Sequence, residues 1–373
     1  MVLKTSGSTW NIKGHTFPRR IFQKMVHNWI EINNLLLNHN FALIDAHLNN
    51  IALTGKSQPV WIDLGSIQPL KTMDQGIKEF LSSQLYPLLI LGSQKDLDRT
   101  ARLLVKNGGI SGAEFRHLVG LNINYFFGVM ADKFTIICHI LQKLGLKQAV
   151  GRRYLLHMLK FFAEHANVSP PKTKWTGYRD YPLKDMDSVE FSQSITDTRP
   201  LKVLELINKL QPKTMMDIGA NDGFFSILAS HSCRKILAID TDEGALDKFI
   251  QWILNTPVDV EAFGCVDDFH NVNHTAELVL GLALVHHLAI SQQYKFDYIA
   301  KRFSDMSTGS LITEFMPNGI GIGEIKPDPL PDHYKLGLFI DELRKYFVSV
   351  EIIEYPRPNQ YSPRILIFAT GKI

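Results

Sequence analysis

The sequence predicts an α/β protein: a doubly wound, mostly parallel sheet with an antiparallel edge hairpin, preceded by a mostly helical N-terminal domain. Three observations carry this. From Leu201 onward, strand-length apolar runs alternate with runs at helical spacing. The first strand and helix meet at a glycine turn within Met215 to Asp240, MMDIGANDGFFSILASHSCRKILAID. The last two apolar runs are joined by a Pro-containing stretch, Tyr355 to Pro363, with no helix between them, so they fold back as a hairpin.

Length and composition set the frame. The 373 residues suit two domains at about 100–200 residues each, and the pattern divides them into 1–166, a connection over 167–200, and 201–373. Apolar residues at 45% and charged residues at 21% describe an ordinary globular chain, and a net charge of +3 is too small to point to nucleic acid. Cys138, Cys233 and Cys265 lie far apart without metal-ligand spacing, which favours free thiols in a reducing compartment. No secretion signal and no apolar run of membrane-spanning length is visible, so a cytoplasmic location is expected.

In chain order, residues 1–20 read as a polar, irregular arm. Ile21, Met25, Trp29, Ile32, Leu35 and Leu36 recur at helical spacing and predict an amphipathic helix to Asn38. Phe41 to Ser66 reads as a short strand, a loop, and two strands joined around Thr54-Gly55-Lys56. Within it, Asp45, Asn50 and Asp63 follow the spacing D-x-x-x-x-N and a later Asp-Leu-Gly, which resembles the catalytic loop and metal-binding turn of protein-kinase-like folds. Only 44 residues precede Asp45, and no Gly-rich loop or partner lysine is found. A kinase-like remnant used as scaffold or acceptor platform fits better than an active kinase, and turn capping by Asp and Asn explains the same residues.

Leu81 to Leu91 reads as helix, Arg102 to Leu118 as a helix broken at Gly108-Gly109, and Asn122 to Phe162 as one interrupted near Gly145. Lys143, Lys147, Arg152, Arg153 and Lys160 are expected to form a solvated basic face rather than a polyanion site. The connection carries Trp175, Tyr178 and Tyr181, which either cover a cofactor site or pin the connection to a surface. Then follow helix 201–210, strand 214–218, helix 224–230, strand 235–240, helix 243–254 and strand 258–266. Strand 277–285, helix 293–303, strand 310–316, helix 334–347 and strands 349–354 and 364–370 complete the pattern.

In such sheets ligands bind beyond the carboxyl ends of the strands. Asp217, Gly219, Ala220, Asn221 and Gly223 form the first turn, where glycine allows close approach of the backbone. Asp240, followed by Thr241, stands 21 residues after Gly219, the offset at which a carboxylate meets ribose hydroxyls. The dinucleotide pattern GxGxxG is absent, and D-x-G-x-x-x-G instead resembles motif I of class I S-adenosylmethionine (SAM) methyltransferases. That resemblance implies SAM as cofactor, held by the first turn and Asp240, with Asp267 or Asp268 accepting from the adenine amino group. His286 and His287, at the fourth strand tip, are candidate bases for a hydroxyl acceptor, or else pack structurally. Glu314 near the fifth tip is a second candidate base or an acceptor-binding group, or pairs with a nearby cation.

Further segments extend the likeness: LIDAHLNNI, PVWIDLGS, LYPLLI, TMMDIGANDGFFS, LALVHHLAIS and LITEFMPNG occur in that order. Together they resemble the bacterial NoeA-like (nodulation-protein-type) methyltransferases, over about residues 20–350. The family implies methyl transfer, often in modification of surface or exported glycans; no metal site is expected. His47-Leu48-Asn49 and the brief stretch after Asp268 depart from the family pattern where acceptor pockets vary. The expectation is an O-methyltransferase acting on a glycan or glycan precursor. The alternatives are a small-molecule natural-product methyltransferase, or a non-catalytic SAM-binding or kinase-like scaffold. The oligomeric state is not legible.

Overall fold

Helical spacing, strand alternation and turn chemistry are realised element by element in the computed structural model, which describes residues 10, 12–91, 98–119, 121–177, 195–256, 260–319, 330–355 and 364–373. The chain divides into two compact units, Met1–Pro171 and Lys172–Ile373.

The first unit is built on helix α1 (Arg19–Leu37), which buries Ile21, Met25 and Trp29, while Leu35 at the margin of the stripe stays exposed. Trp29 stacks on Phe80 with centroids 4.2 Å apart. Four short strands follow: β1 (Phe41–Leu43), β2 (Ile51–Thr54), β3 (Gln58–Trp61) and β4 (Ile67–Pro69). β2 and β3 form the expected hairpin, and β1 pairs antiparallel with β4. Sequence reading missed β4, since three residues ending in proline carry no periodicity and the pairing partner is remote. Helices α2 (Ile77–Phe80) and α3 (Tyr86–Leu91) flank a π-helical turn at Leu81–Leu85. α4 (Asp98–Lys106), α5 (Gly112–Leu118), α6 (Ile123–Lys143) and α7 (Gln148–Glu164) break where the glycines predicted.

Arg152 corrects the expectation of a solvated basic face. It is fully buried. Its Nη1 donates to the carbonyls of Met73 and Gln75 at 3.0 and 2.7 Å, and its Nη2 to Asn33 Oδ1 at 2.6 Å. Asn33 Oδ1 also accepts from the Leu43 N–H, so one guanidinium ties α1, β1, α7 and the segment after β4. Burial draws its pKa down to about 10, with Asp74 opposing.

The second unit holds α8 (Thr198–Leu210), β5 (Thr214–Ile218), α9 (Phe224–Leu228), β6 (Lys235–Asp240), α10 (Glu243–Asn255) and β7 (Glu261–Val266). β8 (Ala276–Gly281), α11 (Phe296–Met306), β9 (Ser307–Phe315), α12 (Leu336–Leu343), β10 (Phe347–Ile353) and β11 (Ile365–Lys372) complete it. The sheet order is β10-β11-β9-β8-β5-β6-β7, with β11 antiparallel to both its neighbours. The predicted edge hairpin is therefore present. Its joining residues 356–363 lie outside the described residues. Central strands are apolar on both faces (Met215, Met216, Leu278, Val279, Leu311, Ile312), as a sheet covered by helices on each side requires. The order reverses between β5 and β8, which opens a crevice at their carboxyl ends.

One boundary differs in a way that matters. β8 stops at Gly281 rather than Val285, and the apolar run bends through Leu282–Leu284 with Ala283 at φ 51°. His286 and His287 therefore open a helical turn beyond the strand. A continuous apolar run cannot distinguish a buried strand from a strand plus buried turn. Among the described residues, no helix is long and apolar enough to cross a membrane.

Replacing Arg152 by Ala takes the buried guanidinium donor from the Met73 and Gln75 carbonyls and leaves Asn33 Oδ1 with only the Leu43 N–H. Urea unfolding should show a loss of about 2–4 kcal/mol from the unsatisfied buried acceptors, whereas Lys143→Ala on the surface should stay within about 0.5 kcal/mol of the parent.

Candidate active site

The turn after β5 is built from backbone conformations that its residues allow. Gly219 and Gly223 have φ of 71° and 76°, and Asn221 sits at 53°. At Gly223 a Cβ would stand 2.4 Å from the Phe249 Cβ, so the glycine is also required by space. The N–H groups of Gly219 and Ala220 both donate to the Ile239 carbonyl, at 2.9 and 3.1 Å. The turn is thereby fastened to β6.

Asp240, at the tip of β6, accepts from the Asn221 N–H at 2.7 Å and the Asp242 N–H at 2.8 Å. Burial pushes its pKa up to about 6, against these two hydrogen bonds, which pull it down. A carboxylate whose desolvation outweighs its backbone donors suits a ligand bringing hydroxyl donors. Thr241 beside it is exposed. Asp217 lies beneath the turn, 2% exposed, and accepts from Ser226 Oγ at 2.9 Å. Its contact is with the fold, supporting the turn from below.

At the third tip, Asp267 Oδ1 accepts from the Asp268 N–H at 2.8 Å, and Asp268 pairs with His270 at 2.8 Å. At the fourth, the His286 and His287 rings lie 4.0 Å apart. His286 is 3% exposed, and its Nδ1 has no hydrogen-bond partner among the described residues. Burial, reinforced by His287 and Arg364, holds its pKa down to about 3. His286 is thus neutral at working pH and too weak a base to receive a proton usefully. His287 is half-buried and meets the edge of Trp175, centroids 5.8 Å apart.

Glu314, expected as a second candidate base, takes the alternative foreseen for it. It is fully buried and gripped by Arg199, Nε to Oε1 at 2.5 Å and Nη2 to Oε2 at 2.7 Å, with Arg364 at 3.4 Å. A carboxylate in a fork of this kind is stabilised as the anion and is positioned to hold structure. Arg199 also lies over the Phe225 ring, 5.0 Å from its centroid, joining α8 to the helix after the turn.

Sequence reading missed Thr173, Arg199 and Arg364. Thr173 Oγ1 donates to Asp242 Oδ2 at 2.6 Å, and the Trp175 N–H donates back to Thr173 Oγ1 at 3.1 Å. Residues 173–176 therefore run from the β6 tip to the ring of His287. Tyr178 and Tyr181, singled out with Trp175, lie outside the described residues. Arg199 is 115 residues from Glu314 and Arg364 is 50, separations at which no local pattern signals a pair.

In the first unit, Ile62 N–H donates to the Asn50 carbonyl at 2.9 Å, which brings Asn50 and Asp63 to the same end of the β2–β3 hairpin. Asp45 accepts from the His47 N–H at 2.8 Å, and Asp63 from the Gly65 N–H at 2.9 Å, as turn-capping residues do. Among the described residues, no group of three or more His, Cys, Asp or Glu side chains is placed to hold a metal ion.

Comparison with known proteins finds a relative by sequence. Nodulation protein NoeA of Rhizobium meliloti (strain 1021) is 26% identical over 314 residues, covering 76% of this chain and 63% of NoeA. The chain is a relative of NoeA. It spans less than two thirds of that protein's length. No family model matches the chain. Among solved structures, the N-methyltransferase NodS from Bradyrhizobium japonicum WM9 is similar at a TM-score of 0.35 and 12% identity, over 50% of this chain and 99% of NodS. Magnesium protoporphyrin IX methyltransferase (ChlM) from Synechocystis PCC 6803, solved with bound SAM, gives 0.36 and 16%, over 52% of this chain and 88% of ChlM. Three of the six NoeA-like segments fall on elements of the candidate site (the turn after β5, the helical turn after β8 and strand β9), and the other three lie in the first unit.

The raised Asp240 pKa has a measurable sign. Below its ordinary value of 3.8 the protonated group favours the fold, and that contribution is lost as pH rises through about 6. The loss should be on the order of 2–3 kcal/mol. Chemical denaturation between pH 4 and 7 should show this slope, and Asp240→Asn should flatten it.

Proposed function

We propose that the unit from Lys172 to Ile373 is a SAM-dependent methyltransferase that acts on a hydroxyl oxygen of a glycan or glycan precursor. The observation that carries the reading is the turn after β5, fastened through Asn221 to an underprotected carboxylate, Asp240, at the neighbouring strand tip. The donor set fits SAM: Asp240 offers two oxygens to ribose hydroxyls, and Gly219 to Gly223 leaves the backbone open to close approach. Asp267 is the better of the two adenine-side acids, because Asp268 is already paired with His270.

When bound, SAM supplies an electrophilic methyl group. What the chain must add is alignment, exclusion of water and removal of one proton from the acceptor. His287 is the base in this reading, since His286 stays neutral in its buried place. His286 packs against it and fixes its ring, while Trp175 bounds the other side. Glu314, neutralised by Arg199 and Arg364, holds β9 and α8 in register beside the histidines. The glycan rests on the resemblance to NoeA, whose name assigns it to nodulation.

Titration calorimetry should give SAM binding to the wild-type protein, weakened roughly 10–100-fold in Asp240→Ala, which removes two charge-assisted hydrogen bonds. Folded wild-type protein that takes up no SAM would sink the assignment. With an acceptor in hand, His287→Ala should lower kcat about 10²–10³-fold and abolish the acidic limb of its pH profile. His286→Ala should chiefly lower stability. Equal kinetic loss in both variants would reassign the base, and SAM binding without turnover on any glycan or small hydroxyl acceptor would favour a non-catalytic role.

A further inference from the structure

Helix α6 has one buried side and a separate, exposed apolar side. One side, with Asn124, Gly128, Ala131 and Cys138, is buried against its own unit. On the other, Ile123, Phe126, Met130, Ile137, Ile140 and, just past the helix end, Leu144 face solvent, from 46% exposed at Ile137 to 78% at Leu144. Their positions advance by alternating steps of three and four, with Lys133 filling the one gap in the series. That is the spacing of positions a and d in a heptad, carried through three repeats.

We propose that this seam pairs with the same seam of a second copy of the chain, as two antiparallel helices. A heptad repeat keeps one narrow stripe in line with a partner helix, whereas a face meeting a flat lipid surface has no need of a 3.5-residue period. The exposed side chains of the seam and of Ile136 and Leu141 beside it offer on the order of 700 Å² a copy, or ~1,400 Å² in a pair, within the ~1,200–2,000 Å² of stable complexes. α6 is already ordered by its buried side, so pairing carries no cost of forming the helix. Lys133 sets the orientation. Parallel pairing in register would put two lysines face to face. Antiparallel pairing about Ile137 places Lys133 against Leu141 of the other copy, separating the two ammonium groups by about 12 Å along the axis. Each Lys133 stem then covers the seam's margin while its charge reaches water.

Sedimentation of the full chain over a concentration series tests this. The wild type should reach a dimer, and Ile137→Glu with Ile140→Glu should raise the dimer dissociation constant at least ~100-fold, since both charges enter the seam's centre. Both positions are exposed, so circular dichroism should be unchanged. Under mild oxidation Ile137→Cys should cross-link two copies and Ile123→Cys should not. A wild type that stays monomeric throughout, or a dimer indifferent to the double substitution, would overturn the proposal. So would a monomer that floats with anionic vesicles through this face, and cross-linking through both cysteine variants would overturn the antiparallel register.

Discussion

The hydrogen bond from the Asn221 N–H to Asp240 is the contact on which the second unit's candidate site depends. It can form only because Gly219 and Asn221 accept positive φ, which turns the chain after β5 back toward β6. The same turn directs two further N–H groups onto the Ile239 carbonyl. A strand end, a loop and a neighbouring strand end thereby become one rigid piece. The sheet order reverses at β5, so that piece stands at the switch point of the sheet, where ligands of such sheets bind. Space, backbone donors and a partly desolvated carboxylate converge there as consequences of one turn.

Around the crevice, charge is distributed by burial. Glu314 keeps its charge inside the fold because Arg199 and Arg364 surround it, and breaking such a pair would leave an uncompensated buried ion. His286, also buried, feels the Glu314 charge, but desolvation together with His287 and Arg364 outweighs it and keeps the ring neutral. His287, one residue on, is left at the surface of the crevice with Trp175 at its edge. Two adjacent histidines thus acquire different burial from a single helical turn, because consecutive residues on a helix point about 100° apart.

The first unit shows how a suggestive spacing can be met by local geometry alone. Asp45 and Asp63 each receive a backbone N–H two residues on, and Asn50 closes the base of the hairpin through its carbonyl. The hairpin and the β1–β4 pair keep these three residues in one region, and the interior that supports them is organised by Arg152 and Asn33. A buried guanidinium with three oxygen partners does for this unit what a ladder of strands does for the other: it gives segments distant in sequence a shared set of satisfied polar groups.

Local pattern by itself determined the alternation of strands and helices after Leu201, the breaks at Gly108-Gly109 and Gly145, the β2–β3 hairpin and the edge hairpin. Each of these is written in short-range terms, as periodicity, glycine or proline. The turn after β5 and Asp240 were legible for the same reason, since glycine spacing and a strand-terminal acid sit within one βαβ unit. Only the tertiary structure decided which side chains around that turn are chemically available. It ended β8 at Gly281, because an apolar run reads the same in a strand and in a buried turn. It separated His287 from His286 by burial, assigned Glu314 to Arg199 and Arg364, buried Arg152, and brought Thr173 to Asp242. These are contacts between residues as many as 119 positions apart, and the energy of a side chain there depends on neighbours that no local stretch of sequence contains.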